Sequence, residues 1–531
     1  MRKKKQVNRL LTSMIFSLVA LSALSQGSGQ RPTLVVGITI DQLRTDYLDL
    51  LQSHFGNEGF RRLMRDGIFV RNAVFNTAVL DKVSASAILQ TGAYPHVNGI
   101  TAGTVFNDAL GLSGETPILK DAKYIGNATD ETYSPVALKV STISDELKMD
   151  NNGIGLVYSI APDAQQAIIL AGHAGNGAFW INDRTGKWAS STFYKDFPSA
   201  VQNRNFIGPL SSRIDTLQWK PLLKPSDYPD IALHRTFYPF KYSFSGTDKY
   251  VKFKQSALVN EEVTSVALSC MAEMNLGRRA AVDMLNIAYS AAPFSYADDS
   301  DNRIELQDEY LRLDRELSKL FAAIDKAVGR KAVIFVSSTG YFDNAVAIDP
   351  RFNIPSGEFS PKKAMSLLNM YLMAVYGNGK WVNGYHHKAF YLNDALAKEK
   401  NISLEELRKK SGDFLRRMSG VSEAYTFDEI LNNPVSESLV RLHKAVYTPT
   451  AGDVYIEVAP GWTIGDNTEA STHNNPIRDN AVSAPFFIIA PGVAQQTIST
   501  PVDAALLAPS VSRVLRIRSP NAARRMPLSN L

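Results

Sequence analysis

One cysteine occurs in 531 residues, Cys270, so no intrachain disulfide can form. It stands in the apolar run Val266–Met271, where a buried, inert thiol is expected. Surplus charge of either sign is also missing. Lys plus Arg total 57 and Asp plus Glu 52. Residues 1–26 hold five of the bases (Arg2, Lys3, Lys4, Lys5, Arg9) and no acid, so the remainder carries 52 charges of each sign. A nucleic-acid binder needs surplus cations on its folded surface, and this balance argues against that class. Long apolar runs are scarce as well. The stretch Leu10 to Leu24 falls short of the roughly 20 residues that span a bilayer. With bases before it and the small residues Ala23 and Ser25 at its end, it reads as an export signal over residues 1–26, leaving no transmembrane segment in the mature chain. Export without disulfides points to a bacterial periplasm or cell surface. At 45% hydrophobic and 21% charged, the chain is neither disordered nor fibrous.

The segment Thr33–Ile40 is almost wholly apolar and ends at Asp41. Such a run predicts a buried parallel strand, with an acid at the end where α/β sheets bind ligands. Lys331–Ser338 reads as a second buried strand. Before it, Leu306, Tyr310, Leu313, Leu317, Leu320, Ile324 and Val328 recur at helical spacing. Asp453–Val458 and Pro485–Ala490 are further strand candidates. The pattern predicts an α/β protein: a three-layer core, its sheet mostly parallel, with helices on both faces and two insertions. Core segments are expected at 31–187, 256–345 and 453–531. A loop-rich cap is expected at 188–255 and an α+β insertion at 346–452. The latter contains helices at 362–376 and 403–418, the second opened by a capping box of Ser403 and Glu406.

Familiar chemical signatures are missing: no HExxH, no CxxC, no P-loop and no GxSxG. The loop Gly172–Gly177 lacks a nucleotide-binding spacing. The acids Asp298, Asp299 and Asp301 read as a solvated loop before a helix. No two of the eight histidines stand four apart, the spacing of a helical metal site.

Longer blocks carry more. RPTLVVGITIDQLRTDYL, QTGAYPHVNGI, AGHAGNGAFWINDRTGKWASSTFY, DEYLRLDRELSKLFAAIDKAVG, GNGKWV, AYTFDEI and GDVYIEVAPGW together resemble the alkaline phosphatase superfamily. The likeness is to secreted bacterial alkaline phosphatases with a threonine nucleophile, relatives of type I phosphodiesterases and nucleotide pyrophosphatases. It runs from about Arg31 to about Ala490. It implies the fold described above, phosphoester hydrolysis and two zinc ions.

The catalytic positions implied by the resemblance are mostly changed. Counting back ten residues from Gly92 places Lys82 in the nucleophile slot. A protonated amine cannot replace a metal-activated threonine hydroxyl. Two metal-ligand positions are retained, Asp41 and His473. Four are lost: Pro293, Ala297, Thr339 and Gly340. The substrate-holding Lys and Arg become Asp163 and Gln165, and a substrate-holding Asn becomes Thr104. An aspartate in a former lysine slot repels a phosphate dianion. His173 matches a family position outside the metal set and is expected to pack. Tyr341 and Phe342 are expected to fill space left by metals. Lys82 and Asp41 are expected to converge, the ammonium replacing a metal between them. No cofactor is expected. The reading is a secreted pseudophosphatase with an unknown protein or cell-surface partner. The alternative is a zinc- or single-metal-dependent phosphoester hydrolase with a divergent site, one metal held by Asp41 and His473.

Overall fold

A computed structural model describes residues 31–111, 114–228, 240–291, 304–340, 355, 357–432, 434–465, 473–474, 483–529 and 531. The first expected strand forms as β1 (Leu34–Asp41), buried along its whole length. There follow β2 (Ile68–Val74), α1 (Lys82–Thr91), β3 (Val157–Ile160), α2 (Ala164–Ala171), β4 (Gly177–Ile181), β5 (Trp188–Ser191), α3 (Lys249–Lys254), α4 (Leu258–Glu273), β6 (Asp283–Ser290), α5 (Ile304–Val328) and β7 (Ala332–Ser338). After these come α6 (Pro361–Tyr376), β8 (Val382–His386), β9 (Ala389–Leu392), α7 (Leu404–Leu415), β10 (Val421–Thr426), β11 (Val454–Val458), β12 (Ala484–Ile489) and α8 (Leu507–Leu515).

The central sheet has the order β2–β12–β7–β1–β6–β3–β4–β5, with short strands added at both edges. β1 runs parallel to β6 and β7, and β3 parallel to β6 and β4. β12 is antiparallel to both its neighbours. Side chains alternate across the sheet. Leu34, Val36, Ile38 and Ile40 of β1 join Val263 and Val266 of α4 and Leu313, Leu317 and Leu320 of α5. Val35 enters a separate cluster with Ile88 of α1 and Val511 of α8. Helices therefore cover both faces, as the apolar pattern predicts. Gly37 is required where it stands, because a Cβ there would meet the Phe335 ring at 2.4 Å and Asn286 Oδ1 at 2.5 Å. The spacing predicted for α5 is its buried stripe, from Leu306 to Ile324. Each such side chain contributes about 1.5–3 kcal/mol by leaving water.

The cap is tied to the core by buried acids. Asp308 of α5, fully buried, accepts hydrogen bonds from Trp219 Nε1 at 2.7 Å, Leu222 N at 2.6 Å, Tyr228 Oη at 2.7 Å and Arg312 Nε at 2.7 Å. Glu262 of α4 receives Trp188 Nε1, Arg204 and Arg213. At its start, the segment expected as cap supplies β5 to the central sheet, antiparallel to β4.

The second insertion departs from expectation at its end. The strand expected at 453–458 forms as β11, but it pairs with β9 and β10 inside a four-stranded sheet, β8–β9–β11–β10. The chain thus rejoins the central sheet at β12, not at 453. Val454, Ile456 and Val458 find their apolar cover with Phe390, Leu407 and Leu415. Alternation specifies a strand and its buried face; it does not name the partner strand. The expected capping box is also half made. Ser403 Oγ accepts from Glu406 N at 3.1 Å, whereas the Glu406 carboxylate accepts from Tyr376 Oη at 2.9 Å.

Candidate functional site

The carboxyl ends of β1, β3 and β7 lie along one edge of the sheet. Asp41 ends β1, Thr339 follows β7, Asp163 precedes α2 after β3, and Lys82 opens α1. The start of α1 is fixed by Asp81. Its Oδ1 accepts from Val83 N at 3.0 Å and Ser84 N at 2.8 Å, while Asp81 N donates to Ser84 Oγ at 3.0 Å, a complete capping box. The other oxygen of Asp81 accepts from Gly103 N at 2.6 Å, which docks the following loop. Lys82 is therefore held at the first turn of a well-capped helix.

The Lys82 ammonium forms an ion pair with Asp163 Oδ2. The second oxygen of Asp163 lies 2.5 Å from Lys254 Nζ, at the end of α3, and Lys254 lies 2.5 Å from Asp183 Oδ1. The result is an alternating chain of four charges, Lys82–Asp163–Lys254–Asp183. Burial opposes each inner charge, but the partners outweigh it. Asp163 is held well below the ordinary carboxylate range by Lys254 and Lys82 against the cost of burial. Lys82 is held above the ordinary lysine value, burial opposing and Asp163 and then Asp41 prevailing. Lys254 shifts the same way for the same reasons, with Asp163 and Asp183 as partners. All three are ionised at neutral pH.

Asp41 is buried and stands apart from this chain. Its Oδ1 accepts from Thr339 Oγ1 at 2.7 Å, and Thr339 Oγ1 in turn accepts from Gln42 N at 3.2 Å. Burial pushes the Asp41 carboxyl up to about 6, with the charge of Lys82 and the Thr339 hydroxyl acting against that rise. Lys82 is close enough to act on Asp41 electrostatically, but its ion pair is with Asp163. The expected approach of Lys82 to Asp41 is met as an electrostatic coupling, while Asp163, at the head of α2, takes the ammonium as its ion-pair partner.

Two further positions carry other contacts. Gln165 Nε2 donates to Gly103 O at 2.9 Å and its Oε1 accepts from Leu119 N at 3.3 Å, so this side chain clamps backbone. Thr104 Oγ1 donates to Glu115 Oε2 at 3.0 Å and lies 2.9 Å from His386 Nε2 and 3.4 Å from His387 Nε2. Those histidines form the tight turn between β8 and β9, with His387 and Lys388 both at positive φ. Burial, and then the neighbouring His387, lower the His386 pKa to about 4. His173 is held by Asp145 at 3.1 Å and Leu138 O at 2.9 Å. Cys270 is buried, with its thiol pushed up by burial to about 12.

The family model for type I phosphodiesterase / nucleotide pyrophosphatase matches residues 35–480. The chain belongs to that family. Among curated relatives, alkaline phosphatase PhoV of Synechococcus elongatus is 26% identical over 515 residues, covering 93% of this chain and 92% of that protein. Alkaline phosphatase PafA of Elizabethkingia meningoseptica is 24% identical and covers 96% of each. The crystal structure of wild-type PafA superposes with a TM-score of 0.81 at 23% identity, covering 94% of this chain and 99% of that one. The three-layer architecture of the alkaline phosphatase superfamily is thereby established for this family member.

Members of this family are metal-dependent phosphoesterases, and the side chains described here do not fit a pair of zinc ions. Lys82 brings a cation beside Asp41, to the position that the resemblance gives to a nucleophile. One oxygen of Asp41 is engaged by a hydroxyl. Gly340 has φ +62°, and a Cβ there would lie 2.2 Å from the Phe75 ring, so no imidazole can be placed at that slot without displacing Phe75. Among the described residues no group of three or more His, Cys, Asp or Glu is arranged to hold a metal. His473 is described only as backbone, in a short strand paired with Ile464. Pro293, Ala297, Tyr341, Phe342 and the acids Asp298, Asp299 and Asp301 lie outside the described residues. Among the described residues, no helix is long and apolar enough to cross a membrane.

Asp41 is bonded to Thr339 and coupled to Lys82, and Lys82 is paired with Asp163, whereas Gln165 holds Gly103 and Thr104 holds Glu115. Sequence reasoning missed Lys254 and Asp183. Lys254 belongs to the segment read as cap and carries no motif. Its one signal was an unclaimed cation, since an aspartate in a former lysine slot calls for a new partner.

Proposed function

We propose that this family member is a secreted pseudophosphatase: catalytically inactive, with a binding or scaffolding role at the cell surface or in the periplasm. The observation that carries the reading is the ion pair of Lys82 with Asp163. A nucleophilic threonine and a phosphate-holding lysine have been replaced by two charges that satisfy each other. A protonated amine has no lone pair with which to attack phosphorus, and Asp163 repels a phosphoryl dianion. Export is supported by the basic and apolar segment at residues 1–26. The test is the purified chain itself. We expect less than one zinc per chain by elemental analysis, and no hydrolysis of p-nitrophenyl phosphate or bis(p-nitrophenyl) phosphate. Near-stoichiometric zinc with turnover that a chelator abolishes would overturn the reading in favour of a hydrolase with a divergent site.

A further inference from the structure

The two lysines of the site converge on one carboxylate from opposite sides. Lys82 reaches it from the first turn of α1 and Lys254 from the end of α3, each on a different oxygen of Asp163. Two ammonium groups gripping two oxygens of one anion is also how a protein grips a phosphoryl group, whose oxygens are spaced much like those of a carboxylate. Lys254 is largely shielded from water by its surroundings, and its other ion pair among the described residues is with Asp183, itself half exposed. Without Asp163, two cations would face each other, with Asp183 beside Lys254 and with Asp41 and Asp81 acting on Lys82 only through their charge.

We propose that Asp163 is a built-in anion: its carboxylate fills, between Lys82 and Lys254, an anion site that would otherwise admit inorganic phosphate. The proposal rests on the pseudophosphatase reading, because it identifies this place with the one where catalytic relatives hold a phosphoryl group. It goes further by assigning the place an occupant, supplied by the chain itself. The site is then closed to free phosphate not by loss of cations but by saturation of the two that are there. Tethering makes that saturation permanent, since an intramolecular carboxylate competes at a high effective concentration.

The test compares inorganic phosphate binding by the native chain, Asp163→Ala, and the double variant Asp163→Ala/Lys254→Ala, by titration calorimetry and by the rise in melting temperature with phosphate. Native protein is expected to show neither heat nor a melting shift at millimolar phosphate. Asp163→Ala is expected to bind at least about tenfold more tightly than the native chain, with the gain weakening as salt rises. The double variant is expected to lose that gain. Equal phosphate affinity in the native chain and Asp163→Ala, or a folded Asp163→Ala that binds none, would overturn the proposal. If like-charge repulsion leaves Asp163→Ala unfolded, refolding in phosphate in place of chloride is expected to restore the native circular dichroism spectrum; failure to do so counts against the proposal equally. Turnover of a phosphomonoester by the native chain bears on the proposed function alone, whereas the difference in phosphate binding decides this inference.

Discussion

Lys82→Thr places a threonine where the resemblance puts the nucleophile, and it separates repair of one residue from repair of a site. We expect it to lower stability and to yield no hydrolysis. The stability loss follows from the geometry. The Lys82 side chain is 40% exposed and that of Asp163 27%, so the pair lies between an exposed pair worth about 0–1 kcal/mol and a buried one whose rupture costs about 3–5 kcal/mol. Lys254 still compensates Asp163 after the change, which keeps the loss toward the lower end, about 1–2 kcal/mol. The pH dependence has a definite sign. Asp163 is depressed, so its contribution is present above the unfolded carboxylate value and is lost as pH falls through the lower folded one. Lys82 is raised, so its contribution is present below the unfolded lysine value and is lost as pH rises through the higher folded one. Lys82 also holds down Asp41, which titrates near 6, so the difference between variant and native protein is larger above about pH 6 than below it and shrinks further in strong acid. Urea denaturation at pH 4, 7 and 9, with p-nitrophenyl phosphate turnover on the same preparations, measures both quantities. An unchanged urea midpoint at pH 7 would show that the ion pair contributes nothing. Measurable turnover would show that metal chemistry survives at this edge of the sheet.

Two other substitutions probe the neighbouring positions. Asp41 titrates near 6 in the fold, about two units above its unfolded value, so its ionisation costs about 2–3 kcal/mol above pH 6 and nothing in acid; Asp41→Asn is expected to raise the melting temperature at pH 8 but not at pH 4, and a gain of equal size at both would refute the assignment. Gly340→His restores a ligand type at a position with φ +62° and the Phe75 ring 2.2 Å from the new Cβ; we expect a destabilisation of about 2 kcal/mol or more by thermal melting and no gain of zinc, and a stable, zinc-binding variant would contradict it.

How much was legible from sequence depended on the range of the interaction. β1, α5, β7 and β12 were readable because their apolar periods reflect burial that each segment must satisfy wherever it lands. The destination of β11 was not, since its alternation suits the insertion sheet and the central sheet equally. Which residues to look at was legible through resemblance, because Lys82, Asp163 and Thr339 stand at fixed offsets from its longer blocks. What those residues do now was not. A lysine in a motif slot does not declare which of two carboxylates it will join, and the choice of Asp163 over Asp41 was made by the ends of α1 and α2. Lys254 was invisible for the same reason: its partner is 91 residues away in the chain and the contact exists only after the cap has folded back.

The stems of the second insertion are joined to each other. Gly357–Phe359 lies parallel to Trp462–Ile464, so the chain leaves and re-enters through a paired neck. The excursion closed by that neck owns its sheet and its core, including a strand, β11, that occupies an interior place in the sheet. Cutting at 452 would therefore remove an interior strand and leave β9 and β10 as raw edges open to pairing with other chains. Cutting at the neck removes the whole unit and leaves two ends already side by side. The core also grips this unit directly, Ala78 N donating to Arg441 O at 3.2 Å and the Phe106 ring stacking on Tyr391, so a surface for a partner can change on its outer side as long as those contacts are kept.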